Sequence, residues 1–154
     1  MVIFNLEMKK ILVFICLIGL LSSAVAQSDK FVKWEFSSRK NGKTTELVVK
    51  AKLEKGWHVY SQFMKGDGPI PTTFEYTLPA GVKLSGKTNE PEPIKHYDEN
   101  FGMDVFYFND QVEFVQPLSG KIKKGTVIKG KVNYMICNDE MCYPPVDVPF
   151  EIKL

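Results

Sequence analysis

The sequence predicts an all-β protein: an immunoglobulin-like antiparallel β-sandwich, a single domain behind a signal peptide. Three observations predict it. Apolar and polar residues alternate with a period of two in several segments, the mark of half-buried strands. Turn residues punctuate those segments at short intervals. No segment carries a sustained helical period. A small closed barrel is the alternative architecture for the same pattern.

The first element is not part of the fold. Lys9 and Lys10 precede an apolar run over residues 11–21, and Ser22, Ser23, Ala24, Val25 and Ala26 follow it. A basic flank, an apolar core and a small-x-small ending describe a secretory signal peptide, residues 1–26, cleaved before Gln27. The apolar run falls short of the roughly 20 residues a membrane span needs, so an uncleaved anchor is the lesser reading. Cys16 lies in this segment, and Ile15 before it is too bulky for a lipoprotein cleavage site. The domain then occupies residues 27–154, long enough to bury its own core.

Strands follow in order. Residues 31–38 are a first candidate, closed by Asn41-Gly42. In residues 45–54, Leu47, Val49, Ala51 and Leu53 alternate with Glu46, Lys50, Lys52 and Glu54. Shorter candidates cover residues 57–61, 72–78, 82–85, 105–108 and 112–118, separated by Pro79-Ala80-Gly81, Asn109-Asp110 and Lys124-Gly125. Val132, Tyr134 and Ile136 make the next strand, and Val146, Val148, Phe150, Ile152 and Leu154 the last. Residues 65–71 and 89–93 read as long loops, where function usually sits on a rigid sandwich.

Composition removes several function classes. A formal net charge of +2 without a basic cluster gives no basis for nucleic acid or an anionic membrane as partner. With the signal peptide gone, Cys137 and Cys142 are the remaining cysteines of the three, in an oxidising compartment where disulfides persist. Cys137 ends one strand and Cys142 begins the segment leading into the last, with a connection of hairpin length, Asn138-Asp139-Glu140-Met141. Facing residues in such strands lie about 4.5–5.5 Å apart at Cα, within reach of a disulfide. A disulfide closing so short a loop adds little chain-entropy stability, which points to use rather than reinforcement. Two facing cysteines supply both the attacking and the resolving thiol of disulfide exchange, with no metal or organic cofactor. Asp139 and Glu140, unopposed by any Lys or Arg in the hairpin, should raise the thiol pKa.

The run Tyr134-Met135-Ile136-Cys137-Asn138-Asp139-Glu140-Met141-Cys142-Tyr143-Pro144-Pro145 resembles the active-site hairpin of the N-terminal periplasmic domain of the thiol:disulfide interchange protein DsbD. Gly56-Trp57-His58-Val59-Tyr60 is similar to that family's aromatic strand beside the cysteines, and Asp98-Glu99-Asn100-Phe101-Gly102 to its cap loop. The best-known members space their cysteines one residue further apart, and Asn100 stands here at an aromatic position of the cap loop. The resemblance implies an immunoglobulin-like redox module, a protein-disulfide reductase component in the periplasm linked to cytochrome c biogenesis. It implies that Cys142 exchanges, Cys137 resolves, and Phe101 shields the disulfide; core packing is the plainer role for a loop aromatic.

Full-length members continue into a membrane electron-transfer domain and a thioredoxin-like domain. A stand-alone, monomeric chain ending at Leu154 is therefore expected to take electrons from a membrane thiol-reductase domain or a thioredoxin-like protein and pass them to oxidised periplasmic thiol proteins. Tyr60 and Tyr143 are candidates to line the site, with core burial as the default for strand aromatics. Asp98 and Glu99 are expected to be solvated, with a polar contact to the site as the lesser role. Trp34 and Trp57 belong to the core. His58, His96, Met64, Met103 and Met141 offer metal or copper(I) ligands in principle, but the histidines lack ligand spacing and no metal is expected. The competing readings are a secreted immunoglobulin-like binding module with a structural disulfide and, further off, a metal or copper chaperone.

Overall fold

The structure, a computed structural model, describes residues 30–154; the signal-peptide segment and Cys16 lie outside them. Ten strands make the fold of the described residues. The first five are β1 (Val32–Asn41), β2 (Thr44–Leu53), β3 (His58–Tyr60), β4 (Thr73–Thr77) and β5 (Val82–Leu84). The others are β6 (Ile94–Asp98), β7 (Met103–Asn109), β8 (Gln111–Gly120), β9 (Val127–Cys137) and β10 (Cys142–Lys153). One sheet has the order β1-β2-β8-β5, the other β10-β9-β3-β7-β6, and β4 joins β9 beside β3. Every pair is antiparallel.

The two sheets close face to face on one core. Leu47, Val49 and Phe114 from the first sheet meet Val59, Tyr134, Ile136 and Ile152 from the second, all essentially without solvent exposure. Aromatic rings span the layers: Trp34 lies 5.1 Å from Tyr134 between centroids, and Phe36 stacks on Phe150 at 4.7 Å. Each fully buried Val, Leu, Ile or Phe side chain contributes about 1.5–3 kcal/mol relative to exposure. The fold therefore rests on this core.

Strand β9 positions the site. Its first half pairs β4, from Thr77↔Lys129 to Thr73↔Asn133, and its end pairs β3 through Val59↔Ile136 and His58↔Cys137. It runs further toward its N-terminus than the alternation of Val132, Tyr134 and Ile136 alone indicated. Gly130 explains the blurred pattern there. A Cβ at that position would lie 2.5 Å from the Phe150 ring and would also strike the Glu75 carbonyl, so the close approach of β4 and Phe150 requires glycine.

Strand β6 is a departure from expectation, since residues 94–98 carry no apolar alternation. Four of its five residues are exposed, and the segment is a strand because it pairs with β7 from Ile94↔Tyr107 to Asp98↔Met103. The β6–β7 hairpin extends the six-stranded sheet past its core, beside the end of β9.

Candidate redox site

Successive side chains on a strand point to opposite faces. On β9, Tyr134 and Ile136 enter the inter-sheet core, so Met135 and Cys137 emerge on the outer face of the six-stranded sheet. The same alternation sends Val59 and Phe108 inward, and His58, Tyr60, Val105 and Tyr107 outward. A second apolar cluster thus forms outside the sandwich, from Tyr60, Val105 and Cys137 with Met64, Met103, Tyr107 and Met135 around them.

Cys137 and Cys142 form a disulfide here, directly in register across the β9–β10 hairpin, with Cα atoms 4.1 Å apart. The loop has its own closure. The Asn138 N–H donates to the Met141 carbonyl at 2.9 Å, while the N–H groups of Glu140 and Met141 donate to Asn138 Oδ1 at 3.0 and 2.8 Å. The two cysteines differ sharply in exposure. Cys137 is 1 % exposed, whereas Cys142 is exposed at the start of β10.

The cap-loop residues occupy a tight turn. Asp98 Oδ1 accepts from the Asn100 and Phe101 N–H groups at 2.8 and 3.2 Å, and the Gly102 N–H donates to the Asp98 carbonyl at 2.8 Å. Gly102, at φ 65°, carries the chain into β7. This turn faces the cysteine hairpin across a cavity of about 360 Å³. Asp98, Glu99 and Asn100 form one wall; Asn138 and Asp139 form the opposite one; His58, Val105 and Tyr107 are also part of its lining. Asp98 is half-buried and Glu99 exposed, and both line this cavity.

The cavity is acidic, with no Lys or Arg in its lining. Asp139 and Asp98 act electrostatically on His58, favouring its charged form, yet burial outweighs them and holds the imidazole below its ordinary pKa of 6.5. His58 Nε2 shares a hydrogen bond with the Tyr60 hydroxyl at 3.2 Å, and its ring packs 4.5 Å from Tyr107. Burial, with Asp98 and Tyr107 adding to it, pushes the Tyr60 hydroxyl well above the ordinary tyrosine range, so it stays protonated.

Of the residues singled out in the sequence, Tyr60 shares the outer cluster with Cys137, which is disulfide-bonded to Cys142, while Asp98 and Glu99 line the cavity beside the cysteine hairpin. Tyr60 is buried, but in the outer cluster rather than the inter-sheet core. Phe101 sits on the turn between β6 and β7, 37 % exposed, and Asp98, Glu99 and Asn100 make the cavity wall there. Tyr143 takes the other face of β10, packed on the main core and stacked with Trp57 and Phe31 at 5.6 and 5.7 Å. The sequence singled out His58 only within the aromatic strand motif and as a possible metal ligand, and did not single out Tyr107. Alternation in Trp57-His58-Val59-Tyr60 was the available signal, since it places His58 and Tyr60 on one face. Among the described residues, no group of three or more His, Cys, Asp or Glu is placed to hold a metal ion.

A β-sandwich with an accessible disulfide on the outer face of one sheet, bridging a hairpin mouth beside an aromatic, acidic cavity, defines the class: a disulfide-bearing immunoglobulin-like domain. Within that class, residues 24–153 match the family model of the thiol:disulfide interchange protein DsbD, N-terminal, and the chain belongs to that family. Among solved structures, it resembles the N-terminal domain of DsbD from Neisseria meningitidis in the reduced form, with a TM-score of 0.58 and 19 % identity, covering 82 % of this chain and 87 % of that one. The N-terminal periplasmic domain of ScsB from Proteus mirabilis aligns with a TM-score of 0.56 and 17 % identity, over 80 % of this chain and 45 % of that one. A complex between the DsbD and PilB N-terminal domains of Neisseria meningitidis aligns at 0.53 and 16 % identity, over 78 % and 80 %. Comparison with curated proteins gives no match.

Proposed function

We propose that this protein is a periplasmic thiol:disulfide exchange module, relaying reducing equivalents through Cys137 and Cys142 to oxidised periplasmic proteins. The carrying observation is the asymmetry of the disulfide: Cys142 is open to a partner while Cys137 is buried behind it. A donor thiolate attacks Cys142 Sγ, the S–S bond breaks, and its electron pair leaves on Cys137. The donor's second thiol then cleaves the mixed disulfide, leaving both cysteines reduced and the donor oxidised. In the second half-reaction the Cys142 thiolate attacks a substrate disulfide, and Cys137 resolves that mixed disulfide, restoring the 137–142 bond. Cys142 is thus the exchanging residue and Cys137 the resolving one.

Several features support this reading. Family membership supports the chemistry. The neighbour described as periplasmic supports the compartment, as does the signal sequence over residues 1–26. The neighbour crystallised with the PilB N-terminal domain supports a protein partner, for which a thioredoxin-like or membrane thiol reductase is the fitting donor class. Met141, 47 % exposed beside Cys142, offers such a partner an apolar contact. Phe101, an exposed aromatic on the facing turn, shields the disulfide between encounters in this reading.

Replacing Cys137 tests the reading. Cys137→Ala should hold Cys142 in stable mixed disulfides with periplasmic thiol proteins, released by dithiothreitol, whereas Cys142→Ala should capture none. Equal capture by both variants, or by neither, would overturn it. A reduction potential well below about −300 mV would instead mark a structural bond.

A further inference from the structure

We infer that His58 is the general base of this site: it accepts the proton of the Cys137 thiol as that thiol resolves a mixed disulfide held on Cys142. This rests on the exchange reading above and assigns it a residue. The placement comes from the sheet. His58 on β3 is the register partner of Cys137 on β9, and both side chains emerge on the same outer face. Opposed residues in antiparallel strands have Cβ atoms about 4.5–5.5 Å apart, the separation at which side chains meet.

The chemistry of the resolving step creates the need. Cys137 is buried, in a cluster of Tyr60, Val105 and methionines, so its thiol has little access to water as a proton acceptor. Carboxylates from the cap turn and the hairpin loop make the surroundings acidic, which disfavours a free thiolate. A neutral base in contact removes the proton without leaving a second negative charge behind.

His58 fits that role, as the half-buried imidazole lining the cavity. The groups facing it are Tyr60 on its own strand, Tyr107 on β7, His96 and Asp98 on β6, Asp139 in the hairpin loop, and Cys137 on β9. His96 is exposed on the rim. Burial keeps His58 unprotonated near neutral pH, despite Asp139 and Asp98. In the tautomer this role requires, Nε2–H donates to the Tyr60 hydroxyl, and the unprotonated Nδ1 receives the proton.

The step balances. Cys137–SH, the Cys142–S–S–R mixed disulfide and neutral His58 give the 137–142 disulfide, R–S⁻ and the His58 imidazolium. The imidazolium then returns its proton to the released thiolate or to water in the cavity.

The experiment is a single turnover of the full chain. Reduced protein is mixed with oxidised glutathione, quenched in acid at intervals, and the glutathione adduct on Cys142 is followed by mass spectrometry. In the unaltered protein the adduct should form and decay, with a decay rate that falls below pH 6.5 along a single ionisation. His58→Gln, which keeps a hydrogen-bonding partner for Tyr60, should form the adduct at the same rate but resolve it about 100-fold more slowly at pH 7. Its decay should keep rising with pH into the thiol range. Exogenous imidazole should restore part of the lost rate. Decay in the variant at the unaltered rate and pH profile would overturn the role of His58 while leaving exchange intact. An unaltered protein that forms no adduct on Cys142, or never resolves it, would overturn the exchange reading and this inference with it. A second readout needs no variant: the inflection of the decay rate should coincide with the titration of His58 followed by NMR, and separation of the two by more than a pH unit would also overturn the assignment.

Discussion

Reducing the disulfide should leave the protein folded, and the size of the effect can be worked from the loop it closes. Cys137 and Cys142 are separated by 5 positions. On the chain-entropy account, a loop this short removes only about 7 cal/mol/K from the unfolded ensemble, so breaking the bond costs about 2 kcal/mol at 25 °C. A chain of the length described, residues 30–154, has an unfolding entropy of about 260 cal/mol/K near its melting point. The melting temperature should therefore fall by about 8 °C on reduction. The native state has other means of holding the hairpin. The Asn138 N–H to Met141 carbonyl bond, the two bonds to Asn138 Oδ1 and the β9–β10 register remain when the sulfur bond is gone. The assay is calorimetry of the oxidised protein, the protein in excess reducing agent, and the Cys137→Ala/Cys142→Ala double variant. All three should show one cooperative transition, the last two within a few degrees of each other. A reduced protein that is unfolded at 25 °C, or loses more than about 20 °C, would refute the reasoning and return the bond to a structural role.

Other outcomes follow from the same geometry. In the reduced protein, iodoacetamide should modify exposed Cys142 before buried Cys137, and peptide mass spectrometry of a time course would show the order. Phe101→Ala should speed reduction of the disulfide by dithiothreitol if its ring shields the bond; an unchanged rate would leave shielding to the wall of Asp98, Glu99 and Asn100. Gly130→Ala should destabilise the fold by about 1–3 kcal/mol, read as a lower guanidinium midpoint, because the new methyl meets the Phe150 ring and the Glu75 carbonyl. His58 has a folded pKa depressed mainly by burial, so the unfolded chain binds the proton more readily. Its contribution to stability is present above pH 6.5 and is lost as the pH falls through the folded value; His58→Gln should flatten that acid limb in a series of melting curves.

How far the sequence could be read differs from strand to strand. Strand β2 was legible because Leu47, Val49 and Ala51 face the core along one side of a long segment. Strand β6 was not, because Ile94, Lys95, His96 and Tyr97 are all exposed and no burial pattern marks them; only the pairing with β7 makes that segment a strand. The cysteine hairpin was legible from spacing alone, and its register came out as Cys137 opposite Cys142. Tyr60 and Tyr143 were equivalent in the sequence as strand aromatics near cysteines. The fold separates them: Tyr60 joins the outer cluster with Cys137, while Tyr143 stacks on Trp57 on the core side.

By itself the sequence determined the all-β class, the hairpin that holds Cys137 and Cys142, and the family to which these motifs belong. Those properties are local: they follow from a period of two, from turn residues and from a short spacing between thiols. Tertiary structure alone decided which face the disulfide occupies, how far each cysteine is exposed, and which distant residues stand beside it. His58, Asp98, Tyr107 and Asp139 lie on four separate elements, and no local pattern links them. They meet because β3 pairs with both β9 and β7, and β7 carries the β6 turn across to the hairpin. Strand pairing sets contacts between residues far apart in the chain, and the chemistry of this site is built from those contacts.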